Sequence, residues 1–175
     1  MSPSRQAVTA FLSLGSNLGD RSALLAQAAE GLDRDSGTRV AAASSLYATE
    51  PVGLPGAPEF FNAALEVRTR RSPEALLDLC LSIEGNLGRV RTGAPASRTM
   101  DIDILLFDDL RMPGPRLCLP HPRMKDRAFV LVPLAEIAPE LVLDGRTIAV
   151  WAAAADGKRV RRLEDPHGWP PSLAL

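Results

Sequence analysis

Arg98-Thr99-Met100-Asp101-Ile102-Asp103-Ile104-Leu105-Leu106-Phe107 is an aliphatic run that carries two aspartates. Its Ile, Leu and Phe content predicts a buried or half-buried strand. Aspartate is normally depleted from strands. At spacing two, both carboxylates leave the same face, with Cα atoms roughly 7 Å apart at a rise of about 3.3 Å per residue. Two such charges in a core-like strand repel each other and resist desolvation. A bound divalent cation is the simplest compensation. A solvent-facing edge strand is the plain alternative.

Working outward, the flanking segments give the fold. Val8, Ala10, Leu12 and Leu14 alternate with Thr9, Phe11 and Ser13 as a first strand. Gly15 to Gly19 is a turn, and Asp20 caps a helix bearing Leu24, Leu25, Ala28 and Leu32. Thr38 to Tyr47 predicts a second strand, and Ala48 to Glu59 a long loop rich in Pro and Gly. Phe61, Ala63, Leu65 and Val67 alternate as a third strand. Ser72-Pro73 opens a helix with Leu76, Cys80, Ile83 and Leu87 on one side, and Gly88 stops it. A polar loop, Arg89 to Arg98, leads into the aspartate strand. Strand-helix-strand-strand-helix-strand predicts an α+β, ferredoxin-like βαββαβ core: an antiparallel sheet with helices on one face. Beyond it come a loop from Pro120 to Arg127, a helix from Ala128 to Ile137 containing Pro133, and a small hairpin turning at Asp144-Gly145. A last helix spans Ile148 to Ala155, and a loosely ordered tail is expected after it.

The 175 residues fit one domain, residues 1–175, with a core of about 7–140 and a C-terminal extension of 141–175. An apolar fraction of 46% suits a globular chain, and a net charge of −1 argues against nucleic-acid binding through bulk positive charge. Cys80 reads as a core residue. Cys118 with His121 is half a zinc site at best. With no disulfide framework and no apolar run of roughly 18–20 residues, a cytoplasmic protein without membrane association is expected. No P-loop and no protein-kinase signature occurs. Arg89, Arg91, Arg98, Arg116, His121, Lys125 and Arg127 flank the aspartates in sequence, as a polyphosphate held by metals and guanidinium groups requires. A nucleotidyltransferase using Asp-x-Asp and a non-catalytic ferredoxin-like binding module are the competing readings. The first would need a third carboxylate and a basic stripe; the second has no use for the aspartates.

Six motifs in order carry a resemblance: Leu12 to Asp20, Ser45 to Gly53, Phe60 to Ala64, Ile83-Glu84 with Gly88 to Arg91, Arg98 to Leu106, and Leu119 to Met124 with Arg127 to Leu131. Together, over about Ala10 to Pro139, the chain resembles the 6-hydroxymethyl-7,8-dihydropterin pyrophosphokinases of folate biosynthesis. The resemblance implies transfer of the ATP diphosphate to the dihydropterin hydroxymethyl group, with AMP released. It implies two Mg²⁺ ions on Asp101 and Asp103, and catalytic roles for Arg89, Arg98, Asp101 and Asp103. It implies ATP contacts from Glu84, Arg91, Arg98, Ile104, Arg116, His121 and Arg127, and a pterin pocket of Thr49, Pro51, Val52, Phe60, Asn62 and Phe129. The expected partners are therefore ATP and the dihydropterin, with a monomeric enzyme. Pro95-Ala96-Ser97, Thr92, Leu81 and Pro122 depart from frequent family residues. Both long loops are expected to move and to order when the two substrates are present.

Overall fold

The computed structural model describes residues 6–155, 160–164 and 166–171. Its central elements are β1 (Val8–Ser16), α1 (Arg21–Asp33), β2 (Thr38–Ala43), β3 (Tyr47–Thr49), β4 (Phe60–Thr69), α2 (Pro73–Asn86) and β5 (Asp101–Phe107). Two short strands follow, β6 (Met112–Pro113) and β7 (Cys118–Leu119), then a 3-10 turn at Met124–Asp126. The chain continues through α3 (Ala128–Ile137), β8 (Val142–Leu143), β9 (Arg146–Thr147), α4 (Ile148–Ala154) and β10 (Val160–Arg162). The cap residues act as expected. Asp20 accepts from the Ala23 N–H at 3.1 Å, and Ser72 from the Ala75 N–H at 3.2 Å with Pro73 at the first helical position. Gly88 ends α2 at φ 83°, and Asp144-Gly145 turn the β8–β9 hairpin at φ 48° and 78°.

The sheet runs β10-β3-β4-β1-β5, with β2 beside β3 on the same edge of β4, and every pair is antiparallel. This is the ferredoxin-like arrangement: the aspartate strand is an outer strand beside β1. Ala10, Leu12 and Leu14 pack against Leu25, Ala28 and Leu32 of α1 and Leu76, Cys80 and Ile83 of α2. The two core helices share one face, as expected, and the C-terminal helices take the other. Phe11, Ala64 and Leu105 make the opposite face apolar as well, and α3 and α4 cover it through Val130, Leu131, Leu134 and Ile148. The strand expected over Thr38–Tyr47 is also two strands. The Ser44 hydroxyl takes the Ala64 N–H at 2.9 Å, so a side chain replaces a ladder carbonyl and the strand breaks before resuming at Tyr47. Ala48 and Thr49, placed in the loop by their sequence, belong to β3.

The expectation of a loose tail lies outside the described residues for 156–159, 165 and 172–175, and elsewhere the tail departs from it. Instead of loose chain, β10 pairs with β3, Val160 opposite Thr49 and Arg162 opposite Tyr47. Trp169 is buried in the α1/α2 core and donates its indole N–H to the Ser44 carbonyl at 2.8 Å.

Candidate functional site

Strand register assembles the site. Asp101 lies opposite Gly15 of β1, Gly15 opposite Asn62 of β4, and Asn62 opposite Tyr47 of β3. Asp103 lies opposite Ser13. Alternation puts Ile102 and Ile104 in the α1/α2 core, so both aspartates leave the other face, toward α3 and the segment before it. There the His121 Nε2 stands 3.9 Å and the Arg127 guanidinium 4.0 Å from Asp103 Oδ2. His121 is anchored by its N–H on the Leu105 carbonyl at 2.8 Å. Its Nδ1 accepts from the Arg123 N–H at 3.2 Å, which places the ring proton on Nε2. Burial, with Arg127 and Arg123 nearby, holds its pKa below the usual histidine value.

Asp101 is capped by two guanidinium groups. Arg89 donates to Oδ1 at 2.5 Å and Arg98 to Oδ2 at 2.9 Å. Arg89 also donates at 2.7 Å to Glu84, which is 2% exposed. Glu84 accepts further from Arg91 at 2.6 Å and from the Ile102 N–H at 2.7 Å, tying α2 to the aspartate strand. Burial raises the Glu84 pKa, against its hydrogen bond from Ile102 and the charge of Arg89. Asp103 keeps 36% of its side-chain surface open. The surrounding protein still desolvates it and, with the Asp101 charge beside it, pushes its pKa up to about 6. Glu84, Asp101 and Asp103 thus face Arg89, Arg91, Arg98 and Arg127, a constellation with a small positive excess that suits a polyanion.

Along the same row, Asn62 is buried and donates to the Thr49 hydroxyl at 2.7 Å. Its second N–H and its carbonyl stay available to a ligand edge. Phe60 follows on the same face of β4. Arg98 lies 5.6 Å from the Phe60 ring centre and Arg127 5.5 Å from that of Phe129. Pro51 is half-buried just past Thr49. Three expected residues stand apart. Val52 is 80% exposed. The Ile104 side chain is buried in the core, so only its main chain could meet a nucleotide. Arg116, after β6, is engaged by Asp78 of α2 rather than by the aspartates.

Two residues went unnoticed in the sequence, where Gly15 to Gly19 reads only as a turn. Asn17 is buried. Its amide donates to the Pro58 carbonyl at 3.2 Å and the Ser97 hydroxyl at 3.0 Å, and accepts from the Arg98 N–H at 2.8 Å. Its own N–H reaches the Arg98 carbonyl at 3.1 Å. One side chain thereby holds both long loops. Gly15 matters for what it lacks: a Cβ there would lie 3.1 Å from Asn62 Oδ1 and 3.7 Å from the Phe60 ring. No signal short of the fold could pair positions so far apart in the chain.

Among the described residues no three His, Cys, Asp or Glu side chains cluster as a metal site. Two hard carboxylates on one strand face, Asp103 with 36% of its side chain exposed, do fit magnesium, which usually takes one or two carboxylates and completes its shell with phosphate and water. No third such side chain joins Cys118 and His121 among the described residues.

Residues 11–139 match the family described as 7,8-dihydro-6-hydroxymethylpterin-pyrophosphokinase. The chain is similar to the 2-amino-4-hydroxy-6-hydroxymethyldihydropteridine pyrophosphokinase of Methylorubrum extorquens, 46% identical over 89% of this chain and 98% of that protein. The enzyme of the same name from Bacillus subtilis is 44% identical over 75% of this chain and 79% of its own length. In fold it is similar to Plasmodium falciparum HPPK-DHPS solved with pteroate, with a TM-score of 0.69 at 17% identity; 87% of this chain aligns with 43% of that one, so it spans less than half of the longer protein.

Proposed function

The chain belongs to the 7,8-dihydro-6-hydroxymethylpterin-pyrophosphokinase family, and on that premise we propose that it transfers the diphosphate of ATP to 6-hydroxymethyl-7,8-dihydropterin and releases AMP. The observation that carries the reading is one row of the sheet. Asp101 with its two arginines stands at one end and the Asn62 amide toward the other, with only Gly15 between them. A polyphosphate at the aspartates and a flat heterocycle at Asn62 would then be neighbours. The proposed setting is the cytoplasm; no described helix is long and apolar enough to cross a membrane.

In the reaction, the dihydropterin hydroxyl oxygen forms a bond to the β-phosphorus. The bond from that phosphorus to the α–β bridging oxygen breaks, and AMP leaves with the electron pair. The hydroxyl proton passes to solvent or a phosphate oxygen. Asp101 and Asp103 would hold two Mg²⁺ ions, which when bound supply charge neutralisation and an acidified hydroxyl. Arg89 and Arg98 donate to Asp101 from either end of one loop. Their proposed role is to transfer from that carboxylate to triphosphate oxygens, where guanidinium groups stabilise charge shifting toward the leaving phosphate. Neutral His121 donates Nε2–H to a phosphate oxygen, and Arg127 adds positive charge on the same side. Asn62 reads the heterocycle edge while Phe60 and Phe129 offer ring faces. Two aromatic faces and one fixed amide select a planar, hydrogen-bonding substrate.

The test is product identity with ATP, Mg²⁺ and the dihydropterin. AMP is expected, with Asp101→Ala and Asp103→Ala inactive. ADP as the product, or no turnover by folded protein, would overturn the reading.

A further inference from the structure

The strand that carries Thr49 is only three residues long, Tyr47–Thr49. One edge pairs with β4 over Phe60 to Asn62. The other edge would be bare but for β10, which lies outside the matched residues 11–139. Val160 stands opposite Thr49 itself. A strand this short, followed by a loop rich in Pro and Gly, has little of its own to fix the rotamer at its last residue.

The tail is fastened to this corner at several points. The Leu163 N–H reaches the Leu46 carbonyl at 2.8 Å, just before the strand. Arg162 donates to the Ser45 hydroxyl at 2.9 Å and lies 3.8 Å from Glu136 of α3. Glu136 in turn accepts from the Ser45 N–H at 3.0 Å, the Ser45 hydroxyl at 2.8 Å and the Tyr47 hydroxyl at 2.8 Å. Arg161 lies 3.6 Å from Glu59, the residue before Phe60. Trp169 closes the run on the Ser44 carbonyl, where β2 and β3 separate. These contacts converge on the two ends of one short strand pair, β3 with the start of β4. That pair holds Thr49, Phe60 and Asn62.

We propose that the described tail, residues 160–164 and 166–171, is a positioning element for the heterocycle subsite: by pairing with β3, it fixes the Thr49 hydroxyl that orients the Asn62 amide. The inference rests on the pyrophosphokinase reading, because it takes that amide as a substrate contact. Its signature is selectivity. The aspartates and arginines stand on β5 and the Arg89–Arg98 loop, at the far side of the sheet from β10, so nucleotide affinity should not depend on the tail.

The experiment compares the full chain, a chain ending at Arg159 and the Arg162→Ala variant. Calorimetry gives the dihydropterin Kd and the Kd of a non-hydrolysable ATP analogue with Mg²⁺. The shortened chain should bind the dihydropterin about tenfold more weakly, the loss of roughly one well-made hydrogen bond, with the analogue within twofold of normal. Arg162→Ala should show the same selectivity at about threefold, and decides the matter should the shortened chain not fold. In a Thr49→Val background, which already lacks the acceptor, Arg162→Ala should add nothing. Unchanged dihydropterin affinity, equal loss of both ligands, or independent addition of the Thr49 and Arg162 effects would overturn the proposal. A folded full chain that binds no dihydropterin would instead overturn the functional reading beneath it.

Discussion

Gly15→Ala adds one methyl group between the two halves of the site. In the middle of a strand, alanine is favoured over glycine by roughly 0.5–1 kcal/mol on backbone entropy alone. Here the new Cβ would lie 3.1 Å from Asn62 Oδ1, closer than an ordinary contact. Asn62 cannot slide away freely, since it is buried and bonded to Thr49 at 2.7 Å. Turning the amide breaks or lengthens that bond, at a net cost of about 0.5–1.5 kcal/mol. The two effects nearly cancel, so the denaturation midpoint should move little. The substrate feels the whole displacement. An amide turned from its fixed angle leaves polar atoms of the heterocycle edge unpaired, worth about 1–3 kcal/mol, or roughly 5- to 150-fold in Kd. The aspartates lie outside the 4 Å reach of the new methyl, so ATP-analogue affinity should hold. Calorimetric titration of both ligands, beside a urea melt, reads all three quantities. Dihydropterin affinity at the normal value, or an equal fall in affinity for the nucleotide, would refute the row geometry.

Glu84→Gln leaves Arg89 and Arg91 facing an amide in place of a buried carboxylate. The cost should be about 2–4 kcal/mol, softened because Arg89 keeps Asp101, and read from urea unfolding; an unmoved midpoint would refute the linkage. Asn17→Ala should raise hydrogen exchange in residues 50–59 and 89–98 together, because one amide holds both loops; loss of protection in one loop alone would contradict that. For Asp103, burial favours the protonated carboxyl in the fold, so this group makes the metal-free protein more stable as pH falls from about 6 toward the ordinary carboxylate range near 4. A proton also competes with the cation. Mg²⁺-dependent binding of the ATP analogue should therefore weaken by about tenfold per unit below pH 6, and Asp103→Asn should lose that step.

Much of this was legible in local pattern. Alternation in Val8–Leu14 and Phe61–Val67, the caps at Asp20 and Ser72, and the spacing of Asp101 and Asp103 report on the face and element to which each residue belongs. The sequence motifs reached further, since they grouped residues that local pattern could not. The misses share a cause: each depends on a partner distant in the chain. Ser44 breaks a strand because its hydroxyl meets Ala64. Val160–Arg162 is a strand because β3 has a free edge to offer. Trp169 is core because its indole N–H meets the Ser44 carbonyl, far back in the chain.

Arg89 and Arg98 on the two oxygens of Asp101 also bear on which ion gains entry. By intrinsic affinity, copper, nickel or zinc would displace magnesium at almost any oxygen or nitrogen site. A naked aspartate pair would be open to such scavenging whenever the enzyme stands idle. With Arg89 and Arg98 on Asp101 and Arg127 4.0 Å from Asp103, a free dication would meet carboxylates already faced by positive charge. Only a species that also offers phosphate to the arginines gives them somewhere to go. On the proposed reading, metal would enter largely as escort to the nucleotide, and the supply of magnesium-bound ATP, more than the strength of the protein ligands, would decide which ion is installed.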